Sequence, residues 1–151
     1  VGTGPGSLAL EFAKKIPSVE IIGLVLFDVV LSLARENAQK TGVSSRVSFK
    51  KGDVEEMPFE DDTFDLVISS NTLHLIKNPT KMFNETQRIL KPGGKFFIGD
   101  FRRSWLGIFT QHIRVSCSPE GATDLLNQSK LQNWEVNDSF FSLNISSKEK
   151  N

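Results

Sequence analysis

The amino-acid sequence predicts an α/β domain, three layers deep, built on a mainly parallel sheet, and three observations carry that prediction. Short apolar runs alternate with segments whose apolar residues recur at helical spacing. The connections between them are brief and are marked by Gly, Pro, Asn and Asp. The alternation closes in two short apolar stretches, Trp134-Glu135-Val136 and Phe140 to Ile145, with Asn137-Asp138 between them, which reads as an antiparallel hairpin.

Taken in order, Val1-Gly2-Thr3-Gly4-Pro5-Gly6-Ser7 is a glycine turn that leads into a helix of about Ser7 to Lys15. Leu8, Phe12 and Ile16, with Ala9 and Ala13, recur at helical spacing there, and Pro17 stops the helix. Val19 to Leu26 is nearly continuous apolar sequence, the signature of a strand covered on both faces. Val29 to Thr41 places Val30, Leu33, Ala34 and Ala38 on one helix face, and Gly42 ends it. Val47 to Lys50 is a short strand that runs into Gly52-Asp53. After the acidic loop Met57 to Thr63, Phe64 to Ser69 is another buried strand whose end, Ser70-Asn71-Thr72, turns polar. Pro79 opens a helix to about Leu90, and Lys91-Pro92-Gly93-Gly94 ends it before the strand Lys95 to Asp100. Phe101 to Cys117 is irregular. Ser118 is then an N-cap with Pro119 at the first helical position. No apolar run precedes the glycine turn, so the expectation is one domain over residues 1–151 that lacks its first strand and is N-terminally incomplete.

Composition narrows the function classes. A chain of 151 residues with 38% hydrophobic content suffices for one core. Lys+Arg 18 against Asp+Glu 18 leaves no global field to attract nucleic acid or an anionic membrane. No apolar run approaches a membrane span and no signal-type leader is visible. The lone Cys117 has no internal disulfide partner and no His/Cys cluster around it, so no metal site is expected. These features point to a cytoplasmic protein with a reduced thiol.

Glycine lacks a Cβ, so the turn lets a ligand approach the backbone, while the helix behind it offers unpaired N–H groups to an anion. An ordinary strand-to-helix turn accounts for the same residues. A dinucleotide-binding G-x-G-x-x-G needs glycine at position 7, where this chain has Ser7. Three stretches together are more specific: VGTGPG, GDVEEMPFEDDTFDLVISSNTLH and RILKPGGKFFIGD. On these the chain resembles the class I S-adenosylmethionine-dependent methyltransferases over nearly its whole length. The resemblance implies a Rossmann-like sheet in the order third, second, first, fourth, fifth, seventh, sixth strand, with S-adenosyl-L-methionine as cofactor and S-adenosyl-L-homocysteine as product.

By the same resemblance, Gly2, Thr3, Gly4 and Gly6 border the methionine part of the cofactor. Asp53 matches the acceptor for the adenine amino group, with the Val54 N–H near the ring and Leu26 beside it. A turn aspartate that caps the strand end is the alternative for Asp53. The ribose position departs from the family, because Gly23-Leu24-Val25 puts Val25 where an acid accepts both ribose hydroxyls. Loss of that acceptor costs about 1.5 to 3 kcal/mol, tenfold or more in affinity. Asp28 lies three residues on and reads first as the N-cap of the helix that follows. Asn71 matches a position near the methionine moiety or the transferred methyl group. His74, on the same turn, is a candidate general base, and a histidine packed on the sheet top is the equal alternative.

Acceptor choice falls to Phe101 to Cys117, where Arg102, Arg103, Trp105, Phe109 and His112 lie. The expected function is methyl transfer to a small-molecule acceptor by direct displacement, with no nucleic-acid or membrane partner. Two rivals stand beside it: a methyltransferase-like binding or scaffold domain without activity, favoured by Val25, and a nicotinamide-dependent oxidoreductase.

Overall fold

The computed structural model describes residues 1–101, 118–139 and 142–148. They form two compact units, 1–54 and 55–151. In the first, α1 (Ser7–Lys15), β1 (Ile21–Val25), α2 (Asp28–Lys40) and β2 (Val47–Lys51) follow one another, and β1 pairs with β2 in parallel from Ile21↔Val47 to Val25↔Lys51. The helix faces differ from the sequence expectation. α1 buries Ala9, Leu10 and Ala13 and leaves Leu8 and Ile16 exposed; α2 buries Leu31, Ala34 and Ala38 and leaves Leu33 exposed. Alanines dominate both buried stripes, and their small side chains share a core with Val25, Val43, Val47 and the large ring of Phe49. β1 is exposed at Ile22 but buried over Gly23, Leu24 and Val25, so both of its faces are covered at the carboxyl end. Arg46 closes the unit from outside: its guanidinium donates to the carbonyls of Ala13, Ile16 and Val19 at 3.0, 3.4 and 3.5 Å, which include open acceptors at the α1 C-terminus.

The second unit contains β3 (Phe64–Ser70), a 3₁₀ turn (Leu73–Leu75), α3 (Pro79–Ile89), β4 (Leu90–Phe101), α4 (Pro119–Asn127), β5 (Trp134–Asp138) and β6 (Ser142–Ser147). Its sheet has the order β3-β4-β6-β5, with β3 and β4 parallel and the last two pairings antiparallel. This order and the β1-β2 pair each reproduce the expected strand sequence on one side of the first strand. Met82, Phe83, Thr86 and Ile89 of α3 are buried, as are Ala122 and Leu126 of α4 and Val67, Phe96, Ile98, Leu143 and Ile145 of the sheet. Asn78 caps α3 by accepting from the Lys81 N–H at 3.2 Å, and Ser118 caps α4 by accepting from the Gly121 N–H at 3.1 Å; a proline follows each cap.

Two boundaries move. Lys91 to Gly94 lies inside β4 as a bulge: the register passes from Phe64↔Leu90 to Leu66↔Lys95, so two steps along β3 match five along β4. The closing hairpin does not turn at Asn137-Asp138, because those residues pair with Asn144 and Leu143; the strand ends at Asp138, and the Ser139 N–H beyond it donates to the Ser142 carbonyl at 2.8 Å. No helix among the described residues is long and apolar enough to cross a membrane.

Candidate cofactor site

In the first unit the glycine turn lies against the carboxyl end of β1. The Thr3 N–H donates to the Leu24 carbonyl at 3.0 Å, and the Gly6 N–H closes back on the Thr3 carbonyl at 3.1 Å. Gly2, Gly4 and Gly6 have φ of 62°, 54° and 89°, so each occupies the left-handed region. Their surroundings separate their roles. A Cβ on Gly4 would meet no atom within 4 Å, which leaves that backbone open to a ligand. A Cβ on Gly6 would lie 2.7 Å from Phe49 Cζ, and one on Gly23 would overlap the same ring. Gly6 therefore serves close packing of α1 onto β2, the part that the third glycine plays in dinucleotide-binding turns, while Gly4 provides the open floor.

The neighbouring strand ends complete this part of the site. The Gly52 N–H donates to the Val25 carbonyl at 3.0 Å, which joins the ends of β1 and β2 and places Asp53 one residue beyond. Asp53 and Leu26 are exposed there, and Val54 is buried. Val25 is 3% exposed and belongs to the apolar core, so this position offers no acceptor to a ribose. Asp28 departs from its expected place. Phe27 is the N-cap of α2 without a side-chain cap bond, and Asp28 is the first helical residue, its Oδ2 accepting from Lys51 Nζ at 2.5 Å.

In the second unit the turn after β3 carries the other predicted residues. Asn71 has φ 54°, a left-handed conformation that Asn tolerates better than most residues, and its N–H donates to the Gly99 carbonyl at 2.8 Å. His74 is gripped twice by Asp100: the imidazole Nδ1 lies 2.7 Å from Oδ1, and the His74 backbone N–H donates to Oδ2 at 3.1 Å. The side chains of His74 and Asp100 are 4% and 2% exposed. A carboxylate only accepts, so Nδ1 is the protonated nitrogen of this pair. The reading of the sequence passed over Asp100 as the end of a strand. The available signal was a carboxylate closing an apolar run, because a buried acid requires partners.

Arg88 is a second residue whose part the sequence did not announce. It donates to the Met57 and Phe59 carbonyls at 2.9 and 2.7 Å, to Asp61 at 2.8 Å and to both oxygens of Glu85 at 2.8 and 2.7 Å. These bonds pin the acidic loop to α3. The Arg88 bonds hold the Glu85 carboxyl below the usual carboxylate range, aided by the Met57 N–H, and outweigh the opposing effect of burial. Arg102, Arg103, Trp105, Phe109, His112 and Cys117 lie outside the described residues.

The parallel β1-β2 pair with its glycine turn in the first unit, and the β3-β4-β6-β5 sheet with its antiparallel end in the second, are each parts of the Rossmann-like class I methyltransferase fold. The family profile described as a methyltransferase domain matches residues 1–140, and the chain belongs to that family. It is 34% identical over 110 residues to the ubiquinone/menaquinone biosynthesis C-methyltransferase UbiE of Geobacter sp. (strain M21), covering 72% of this chain and 47% of that protein. It is 34% identical over 100 residues to the sterol 4-C-methyltransferase strm-1 of Caenorhabditis elegans, covering 66% of this chain and 29% of that protein. The chain thus spans less than half the length of these curated relatives. Among solved structures, a SAM dependent methyltransferase from Aquifex aeolicus superposes with a TM-score of 0.81 at 19% identity, over 96% of this chain and 77% of that one, a likeness of fold.

Proposed function

We propose that residues 1–151 act as one cytoplasmic S-adenosyl-L-methionine-dependent methyltransferase domain that transfers a methyl group to a small-molecule acceptor. The observation that carries this reading is Gly4: its backbone is left-handed, faces open space and lies in a turn bonded to the end of β1. A zwitterionic amino acid suits such a floor, because backbone donors receive its carboxylate without a phosphate-binding lysine. Gly2, Thr3 and Gly4 would hold the methionine part, Asp53 would accept from the adenine amino group, and Leu26 and Val54 would flank the ring. Asn71 would serve the methionine end. The cofactor supplies a methyl carbon activated by a sulfonium, so the protein's share is alignment.

The two curated relatives above are named as C-methyltransferases. If this chain's acceptor is also a carbon, replacing its C–H bond by a C–CH3 bond releases a proton that a base must accept. We assign that step to His74, which Asp100 holds through Nδ1. Val25 favours a second reading, a partner-binding domain of the same fold without tight cofactor binding.

Thermal unfolding of the full chain separates these readings. S-adenosylmethionine or S-adenosylhomocysteine at about a hundredfold excess over Kd should raise the Tm by about 5–10 °C. A folded chain that shifts with neither ligand is the scaffold, and one that shifts with NADPH instead is an oxidoreductase.

A further inference from the structure

We infer that Asp28, held by Lys51, takes over the ribose-binding part that Val25 cannot play. The inference rests on the cofactor reading above and concerns residues of the first unit alone. Val25 and Lys51 are the last register partners of the β1-β2 ladder, so Lys51 stands beside the position where the family carries its ribose acid. Lys51 Nζ donates to Asp28 Oδ2 at 2.5 Å, which draws the carboxylate to that strand end and away from capping α2. The two side chains remain 71% and 55% exposed for Asp28 and Lys51. Lys51 occupies Oδ2, and no group among the described residues donates to Oδ1.

The chemistry matches the missing function. A ribose with free 2′ and 3′ hydroxyls presents two O–H donors, and a carboxylate offers acceptors without donating. The competing account is an ordinary surface ion pair, which contributes little to stability and nothing to binding.

Isothermal titration of the full chain with S-adenosylhomocysteine and with its 2′-deoxy counterpart tests the assignment. Asp28→Ala should weaken S-adenosylhomocysteine binding about tenfold. The same substitution should weaken binding of the 2′-deoxy ligand less, because one of the two hydroxyl contacts it removes is already absent; the coupling between the two changes reads that contact. Adding Val25→Asp to Asp28→Ala should restore affinity. Circular dichroism confirms the fold of each variant. Equal binding by wild type and Asp28→Ala overturns the inference, as does equal weakening toward both ligands. If Val25→Asp binds and wild type does not, the assignment of Asp28 falls and the wild-type chain is the scaffold of the second reading. If neither binds, the cofactor reading itself falls and takes the assignment with it.

Discussion

Phe49 decides what each glycine of the turn is for. Its ring fills the space a side chain at position 6 or 23 would need, whereas position 4 looks onto nothing. Gly6→Ala should therefore destabilise the protein by about 2–4 kcal/mol, combining left-handed strain with overpacking, and Phe49→Leu should recover part of that loss in urea unfolding. Gly4→Ala should cost only the strain, about 1–2 kcal/mol, yet weaken cofactor binding more than Gly6→Ala does relative to its effect on stability. Asp53→Ala should lower cofactor affinity about tenfold by calorimetry, and an unchanged Kd sinks its adenine assignment. The spacing of the glycines was readable in the sequence, but the division of labour was not. It depends on a ring more than forty residues away in the chain, which periodicity does not reveal. Asp100 escaped for the same reason: only the folded sheet brings it to His74.

Among the elements, the acidic loop before β3 shows how a segment without regular structure acquires a fixed path. Three carbonyl or carboxylate groups of the loop, on Met57, Phe59 and Asp61, converge on Arg88, and Glu85 faces the same guanidinium. Arg88→Met should cost about 2–3 kcal/mol, since it strands these acceptors at once. The pH dependence follows from the lowered pKa of Glu85. Its contribution is fully present above the ordinary carboxylate pKa and is lost as pH falls through the depressed value. Urea unfolding across the acid range should thus show a stability loss in wild type that is smaller in Arg88→Met; parallel curves would contradict the clamp. Helix starts were legible where a proline marked the first turn, at Pro79 and at Ser118-Pro119, although the Asn78 cap emerged only in the structure. The start of α2 was not, because Asp28 looks like a cap and is instead claimed by Lys51. The hairpin turn was misplaced because Asn137-Asp138 has turn chemistry but pairs with β6.

At the scale of the whole molecule, strand neighbours set an order of local stability. β4 is paired on both sides, by β3 and β6, whereas β1 has only β2 beside it among the described residues. Hydrogen exchange should therefore protect Phe96 and Ile98 in β4 most strongly and Ile22 in β1 far less; equal protection would refute that ranking. Fold class was legible in the sequence because apolar runs alternate with helical spacing across short connections, whereas the strand order followed from the family resemblance. The faces of α1 and α2 were less so, since alanine packs where larger residues were expected. The bulge at Lys91 to Gly94 has one further consequence. Elsewhere in β4, adding or removing a single residue would send every later side chain to the opposite face. The bulge already breaks the register count, and Gly93, at φ 80° with open space around its Cβ position, marks its loosest point. It is the place where this strand can change length, by evolution or by the insertion of a short tag, while the residues leading to Asp100 keep their aim.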